Sequence, residues 1–196
     1  MKIVAFGDST TAGTPAFKSP LESPPAGSGD ETSQYAFWLM KAHPEWVVLN
    51  RGINGQRSDE IQARFERDVV QNGPAAVVII AGVNDIYQGR TVEQVTAQLQ
   101  AMYARAAEAG IPVVAGSIIP FNTATPEQNQ RMRQVNDWIR RQPEVTFVDT
   151  RTAVAASGNP DMLFESSDGL HPSALGYRRM AEVIGAALQR VLKTVQ

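Results

Sequence analysis

Five short apolar runs recur along the chain, and they constrain its fold more than any other feature. They read KIVAFGD at residues 2–8, WVVLN at 46–50, AAVVIIAG at 75–82, IPVVAGSIIP at 111–120 and VTFVDT at 145–150. Unbroken apolar runs without polar alternation are typical of strands that are covered on both faces. The runs therefore predict a parallel sheet that is buried between two layers of helices.

Segments with helical spacing separate these runs. We predict helices over residues 34–42, 58–71, 91–110, 125–142 and 172–195. Ser58 and Asp59 are the expected cap of the second helix. Thr91, with Gln94 three residues later, is the expected cap of the third, and Pro126 suits the first position of the fourth. The alternation of strands and helices predicts an α/β fold with a right-handed, mostly parallel sheet.

The composition is that of one globular domain, which we expect to span residues 1–196. Of its 196 residues, 43% are hydrophobic and 19% are charged, and the net charge is -2. Lys and Arg are scattered, so nucleic acid is not expected as a partner, because phosphate binding needs clustered cations. The absence of cysteine excludes thiolate catalysis, disulfides and Cys-based zinc sites. No apolar stretch approaches the ~20 residues of a membrane span.

The amino terminus carries one Lys and then only the four apolar residues IVAF, without a cleavage site. These features do not form a signal peptide, so we expect a cytoplasmic protein. A secreted mature chain given a new Met would have the same features.

Residues 14–33, TPAFKSPLESPPAGSGDETS, are rich in Pro, Gly, Ser and acids and have no periodicity. A structureless segment of about twenty residues is uncommon inside a compact domain and is often a lid or a binding loop. We predict an insertion loop near the active site. A surface insertion without a function is the alternative, and the segment alone does not decide between them.

Polar residues follow four of the predicted strands. Ser9 follows the first, NRGING (50–55) the second, GVND (82–85) the third and SSDGLHPS (166–173) the fifth. The carboxyl ends of parallel strands meet at one edge of the sheet, where ligands bind in this class of fold. Ser9, Asp168 and His171 are the residue types of a nucleophile, an orienting acid and a base. As an alternative, Asp168 and His171 cap the last helix.

The chain has two histidines, and elimination favours His171 as the base. His43 lies in KAHPEW, in the connection expected at the amino-terminal edge of the sheet, so we expect a structural role for it. His171 follows Asp168 by three residues, with Gly169 between them. That turn can bring the carboxylate to one imidazole nitrogen, which fixes the tautomer that a base needs.

Asn84 and Gly55 each have two interpretations. Asn is common in turns, but its amide can also donate to a developing oxyanion. Gly55 is either a turn glycine or a position where a bare backbone N–H approaches a substrate.

Together, GDST (7–10), NRGING (50–55), GVND (82–85) and DGLH (168–171) resemble, in order, the sequence blocks of the SGNH hydrolases, also called GDSL esterases and lipases. The resemblance covers essentially the whole chain. It implies Ser9 as the nucleophile, His171 as the base and Asp168 as its partner. It also implies an oxyanion hole made of the Ser9 N–H, the Gly55 N–H and the Asn84 amide.

The family implies a three-layer α/β/α, flavodoxin-like fold with a five-stranded parallel sheet in the order 2-1-3-4-5. It also implies ester hydrolysis through an acyl-enzyme, with no metal and no organic cofactor. The sequence departs from the family at Thr10, where Leu is usual, as some carbohydrate-esterase branches do. The insertion at residues 14–33 is a second departure, and both bear on the substrate.

We expect hydrolysis of small-molecule, short-chain acyl esters. Carbohydrate O-acetylesterase activity is the alternative, followed by lysophospholipase or acyl-thioesterase activity and by a non-catalytic binding protein on the same fold. GDSTT lacks the G-x-S-x-G of the α/β-hydrolases, and no phosphate-binding glycine loop is present. No feature of the sequence indicates the oligomeric state. The predicted substrate contacts are Thr10, Val83, Tyr87, Phe121 and Leu170. Further candidates for the wall of an apolar groove are Phe17, Leu21, Ile86 and Ile118. For most of the apolar candidates, ordinary packing in a loop or in the core is the favoured alternative.

Overall fold

A computed structural model describes residues 1–194 of the chain. Its centre is a sheet of five strands: β1 (Lys2–Gly7), β2 (Val47–Gly52), β3 (Ala76–Ile80), β4 (Val113–Gly116) and β5 (Val145–Val148). Every neighbouring pair in this sheet is parallel, and the order in space is β2-β1-β3-β4-β5. The predicted class of fold and the predicted strand order are confirmed.

The helices are α1 (Ser9–Ala12), α2 (Tyr35–Ala42), α3 (Ser58–Ala63), α4 (Phe65–Asp68), α5 (Val83–Tyr87), α6 (Val92–Glu108), α7 (Pro126–Arg140), α8 (Thr150–Val154) and α9 (Ala174–Thr194). The predicted caps of α6 and α7 are present, with Thr91 and Gln94 bonded reciprocally and Pro126 at the first helical position. The last predicted helix reached residue 195, which lies outside the described residues. No helix within residues 1–194 is long and apolar enough to cross a membrane.

The prediction of one continuous helix over residues 58–71, capped by Ser58 and Asp59, is wrong. It is divided into α3, α4 and a short 3-10 helix at Val70–Asn72, with a break at Arg64. Ser58 is the first residue of α3, where its N–H and Oγ both donate to Asp85. The N–H of Arg57 is instead capped by the Glu60 carboxylate, at 2.9 Å.

Helices cover both faces of the sheet, as unbroken apolar strands require. In β1, Ile3 and Ala5 pack on the side of α2 and α9. Val4 and Phe6 point to the other side, where α3, α4, α6 and α7 supply the apolar partners. Successive side chains of one strand thus belong to two different cores, which explains why β1 carries no polar alternation.

Residues 14–33 are not structureless, contrary to the prediction. A short antiparallel ribbon pairs Phe17–Lys18 with Ser28–Gly29, and a 3-10 helix follows at Glu31–Ser33. The Phe17 side chain is buried, and the hydroxyl of Tyr177 in α9 donates to the carbonyl of Thr14. The low periodicity of the segment arises from tight turns, and the segment packs as part of the fold. A second ribbon, Ala155–Ala156 with Asn159–Leu163, was not predicted.

Candidate active site

Ser9 lies at the carboxyl end of β1, as the first residue of α1. The turn before it requires glycine at position 7, because a Cβ there would overlap the Ile80 carbonyl and the Thr11 hydroxyl. Asp8 caps α1, since its Oδ1 accepts the Thr10 N–H at 2.9 Å. Ser9 therefore lies at the edge of the sheet, at the start of a short, capped helix.

Asp168 and His171 meet in the turn before α9. The distance from Asp168 Oδ2 to His171 Nδ1 is 2.7 Å. The other carboxylate oxygen, Oδ1, accepts the backbone N–H groups of Leu170 and His171 at 2.8 and 2.9 Å. Gly169 has a φ of +71°, a conformation that glycine adopts without strain. The turn thus orients both side chains.

The carboxyl group of Asp168 is ionised at any ordinary assay pH. Partial burial alone would raise its pKa, but the hydrogen bonds from the His171 ring and from the backbone N–H groups outweigh burial and lower the pKa to about 2. An ionised carboxylate can only accept, so His171 Nδ1 carries the proton in this pair. The other ring nitrogen, Nε2, is then the one that can accept a proton.

Asn84 is held by the loop after β2. It follows Gly82, where φ is +119° and a Cβ would come within 2.8 Å of Ile118 and Val95 side-chain atoms. One N–H of the Asn84 amide donates to the Gln56 carbonyl at 2.9 Å. This bond fixes the side-chain rotamer and leaves the second amide N–H free to bind another acceptor.

Gly55 lies in the same loop, with a φ of +77°. The residue is exposed, and a Cβ at this position would contact nothing, so the positive φ is what favours glycine. Within residues 1–194, no acceptor takes the Gly55 N–H. The neighbouring residue Asn54, rather than Gly55 itself, lines the cavity beside Ser9.

Ser9, Asn84 and His171 line one cavity of about 180 Å³. Tyr87 is 58% exposed, and its ring meets that of Phe121 edge-on at 5.7 Å between centroids. Among the described residues, no hydrogen bond joins Ser9 Oγ to His171, a contact that is often long in enzymes without a bound ligand. The complete lining of the cavity is Ser9, Asn54, Val83, Asn84, Tyr87, Phe121, Leu170 and His171.

Four of the five predicted substrate contacts therefore line the cavity, and Thr10 does not. Thr10 is buried at the start of α1. Of the further candidates for an apolar wall, Phe17, Ile86 and Ile118 are buried in the fold, and Leu21 is half-buried away from the lining. For the three buried residues, the apolar side chain serves the packing of the fold.

The other histidine lies elsewhere. His43 ends α2 and stacks on Trp46, with 3.9 Å between ring centroids. It lines a larger cavity of about 490 Å³ between α2 and α9, which contains neither Ser9 nor His171. None of the predicted catalytic residues lines the larger cavity, so the smaller cavity is the candidate active site.

Asp8 is a buried acid to which no pattern in the sequence assigns a role. Its Oδ2 has no hydrogen-bond partner among the described residues. Burial, assisted by the charge of Asp85, raises its pKa to about 7, against the opposing effects of Thr10 and Arg64. Between about pH 4 and about pH 7 the folded chain therefore keeps this proton while the unfolded chain releases it, and rising pH favours unfolding.

We expect Asp8→Asn to be more stable than the wild type at pH 8 by up to about 4 kcal/mol, because the pKa of Asp8 is raised from 3.8 to about 7 and each unit is equivalent to 1.36 kcal/mol. Asn keeps the acceptor for the Thr10 N–H and carries no titrating proton. The free energy of unfolding by urea, measured at pH 5 and at pH 8, tests this. A difference between variant and wild type that stays constant with pH would contradict it.

Known proteins match both the sequence and the fold. The profile of the GDSL-like lipase/acylhydrolase family matches residues 5–179. An acetylxylan esterase from Geobacillus stearothermophilus is 29% identical over an alignment of 169 residues, with 75% of this chain and 75% of that protein covered. The structure of the acetylxylan esterase Axe2 from the same organism superposes with a TM-score of 0.70 at 24% identity, covering 97% of this chain and 93% of that one.

A member of the lipolytic protein G-D-S-L family from Veillonella parvula has a TM-score of 0.77 at 19% identity, covering 97% of this chain and 99% of that chain. At these identities the superposed structures establish the fold, and the profile establishes the family. The chain belongs to the GDSL-like lipase/acylhydrolase family and is an ester hydrolase.

Proposed function

We propose that the chain is a serine esterase that hydrolyses short-chain acyl esters through an acyl-enzyme on Ser9. The observation that carries this proposal is that Ser9, Asn84 and the Asp168–His171 pair meet at one cavity. Ser9 and Asn84 follow β1 and β3, and the Asp168–His171 pair precedes α9. These segments are far apart in sequence, and packing alone does not require that combination.

In the first step, Ser9 Oγ attacks the ester carbonyl carbon while its proton passes to His171 Nε2. Throughout the reaction the Asp168 carboxylate accepts a hydrogen bond from His171 Nδ1–H, and it stabilises the imidazolium that forms. The tetrahedral intermediate then collapses: the bond to the alcohol oxygen breaks, and His171 returns its proton to that oxygen. Water repeats the sequence on the acyl-enzyme, which releases the carboxylic acid and restores Ser9.

The negative oxygen of the intermediate is received by the N–H groups of Ser9 and Gly55 and by the Asn84 amide. Two observations support these donors. The Asn84 rotamer is already fixed by its bond to the Gln56 carbonyl, and the Gly55 N–H has no acceptor within residues 1–194. Donors that are oriented in advance are the ones that lower a barrier, because they need no reorganisation during the reaction.

The size of the cavity supports a short acyl group. At about 180 Å³ it is smaller than the ~300 Å³ at which cavities for drug-sized ligands begin. Phe17, Ile86 and Ile118, which could have extended it into a long groove, are buried in the fold.

A carbohydrate O-acetyl ester is the second candidate substrate. The relative at 29% identity is an acetylxylan esterase, and the exposed ring of Tyr87 at the cavity could pack against a sugar. An acetyl group satisfies the same small acyl site, so the two candidates differ in the alcohol.

We expect p-nitrophenyl acetate and butyrate to be cleaved with a kcat/KM at least about tenfold above that of the octanoate and dodecanoate, since poorly accommodated methylenes cost binding. The measurement is initial rates on a series from two to twelve carbons, with acetylated xylo-oligosaccharides assayed in parallel. Faster release of acetate from the oligosaccharide than from the p-nitrophenyl ester would favour the second candidate. A kcat/KM that rises towards twelve carbons would contradict the short acyl site.

A further inference from the structure

The segment at residues 14–33 is attached to the turn that follows β2. The hydroxyl of Ser19, which is fully buried, donates to the Gly52 carbonyl at 2.6 Å. The Glu22 carboxylate accepts two backbone N–H groups, that of Ser19 at 3.0 Å and that of Asn54 at 2.8 Å. Glu22 therefore bridges the segment and the turn with one oxygen on each.

The turn after β2 is hydrogen-bonded to the rest of the fold at both of its ends. At one end the Ile53 N–H donates to the Gly7 carbonyl at 3.2 Å, and at the other the Gln56 carbonyl accepts from Asn84 at 2.9 Å. Asn54 and Gly55 lie between these anchors and are exposed. In the described part of the chain, Glu22 is the one acceptor that their two N–H groups reach.

The segment is attached to the rest of the fold at several points. Its start is tied to α9 through the hydroxyl of Tyr177, which donates to the Thr14 carbonyl at 3.0 Å. Within the segment, Phe17–Lys18 and Ser28–Gly29 pair as an antiparallel ribbon, and the Phe17 ring is buried. A carboxylate on a segment attached in this way can hold an exposed turn in one conformation.

We propose that Glu22 is a positioning residue, which holds Asn54 and thereby directs the adjacent Gly55 N–H at the oxyanion. The inference rests on the proposed function. Gly55 has no side chain and a positive φ, so its peptide group can reorient at low cost unless a neighbour is fixed. The insertion is then a brace for the oxyanion hole, and not a lid over it.

The test compares Glu22→Gln with Glu31→Gln, a matched loss of one charge at an exposed position of the same segment. Gln keeps the size of the side chain, but its amide offers one acceptor oxygen and one donor group, so it cannot accept both N–H groups. We expect kcat of Glu22→Gln on p-nitrophenyl acetate to fall on the order of 10- to 100-fold with KM within about twofold. Glu31→Gln should match the wild type in both constants.

Hydrogen–deuterium exchange gives a second readout that does not depend on turnover. The peptide covering residues 50–57 should exchange faster in Glu22→Gln than in Glu31→Gln, and thermal unfolding should show that both variants are folded. Unchanged exchange, or a kcat equal to that of Glu31→Gln, would overturn the proposal.

Ser9→Ala is assayed beside these variants to separate the two hypotheses. An active Ser9→Ala variant would remove the proposed function, and the role of Glu22 with it. An inactive Ser9→Ala beside a fully active Glu22→Gln would remove the role of Glu22 alone.

Discussion

Ser9→Ala is expected to lower kcat on p-nitrophenyl acetate by about a thousandfold or more, because the covalent route disappears with the hydroxyl. Residue Ser9 is 4% exposed and lines the cavity, so the substitution removes one oxygen and leaves the surrounding packing in place. The free energy of unfolding should therefore change little, and the loss of rate cannot be attributed to unfolding. Rates and urea unfolding of the same preparations give both quantities.

A serine outside the cavity supplies the control. Ser167 is exposed, lies one residue from Asp168 and does not line the cavity, so Ser167→Ala should retain wild-type rates. Retention of activity by Ser9→Ala would mean that the polar break after β1 is a structural turn and that another group performs the attack.

Asn84→Ala is expected to lower kcat by about 10²–10³, the usual effect of losing one oxyanion donor, or about 2.7–4 kcal/mol of barrier. KM should change little, because the bond forms fully only when the carbonyl oxygen becomes charged. The measurement is the steady-state kinetics of the variant on a short-chain ester.

Asn84 also donates to the Gln56 carbonyl, so a structural explanation has to be separated from a catalytic one. Losing a hydrogen bond of that kind costs about 1 kcal/mol of stability, which is well below the expected rise in the barrier. A loss of stability as large as the loss of rate, or a rise in KM that accounts for the whole effect, would contradict the role in the oxyanion hole.

The sheet and the approximate position of the candidate site could be predicted from the sequence because both depend on local signals. Unbroken apolar runs specify strands covered on two faces, and polar residues directly after such runs must lie at one edge of a parallel sheet. Asp168 and His171 are three residues apart, so their contact at 2.7 Å follows from one turn.

The supporting residues could not be predicted in this way. Glu22 meets Asn54 across 32 residues, in a segment without periodicity, and Ser58 meets Asp85 across 27. Arg64 lies within a helical pattern, but its guanidinium turns inward to the Gly7 and Arg51 carbonyls at 2.8 Å, where the helix breaks. Such contacts depend on tertiary packing, which no spacing in the sequence records.

The bond between Tyr177 and Thr14 joins residues 163 positions apart, near the two ends of the described chain. We expect contacts of such long sequence separation to form late, because the chain entropy of closing the loop is lost before the contact is gained. Recovery of esterase activity after dilution from denaturant would then report the docking of α9. It would lag behind the formation of α6 and α7 in the middle of the chain. The rate at which activity returns would then measure the rate of the final step of folding.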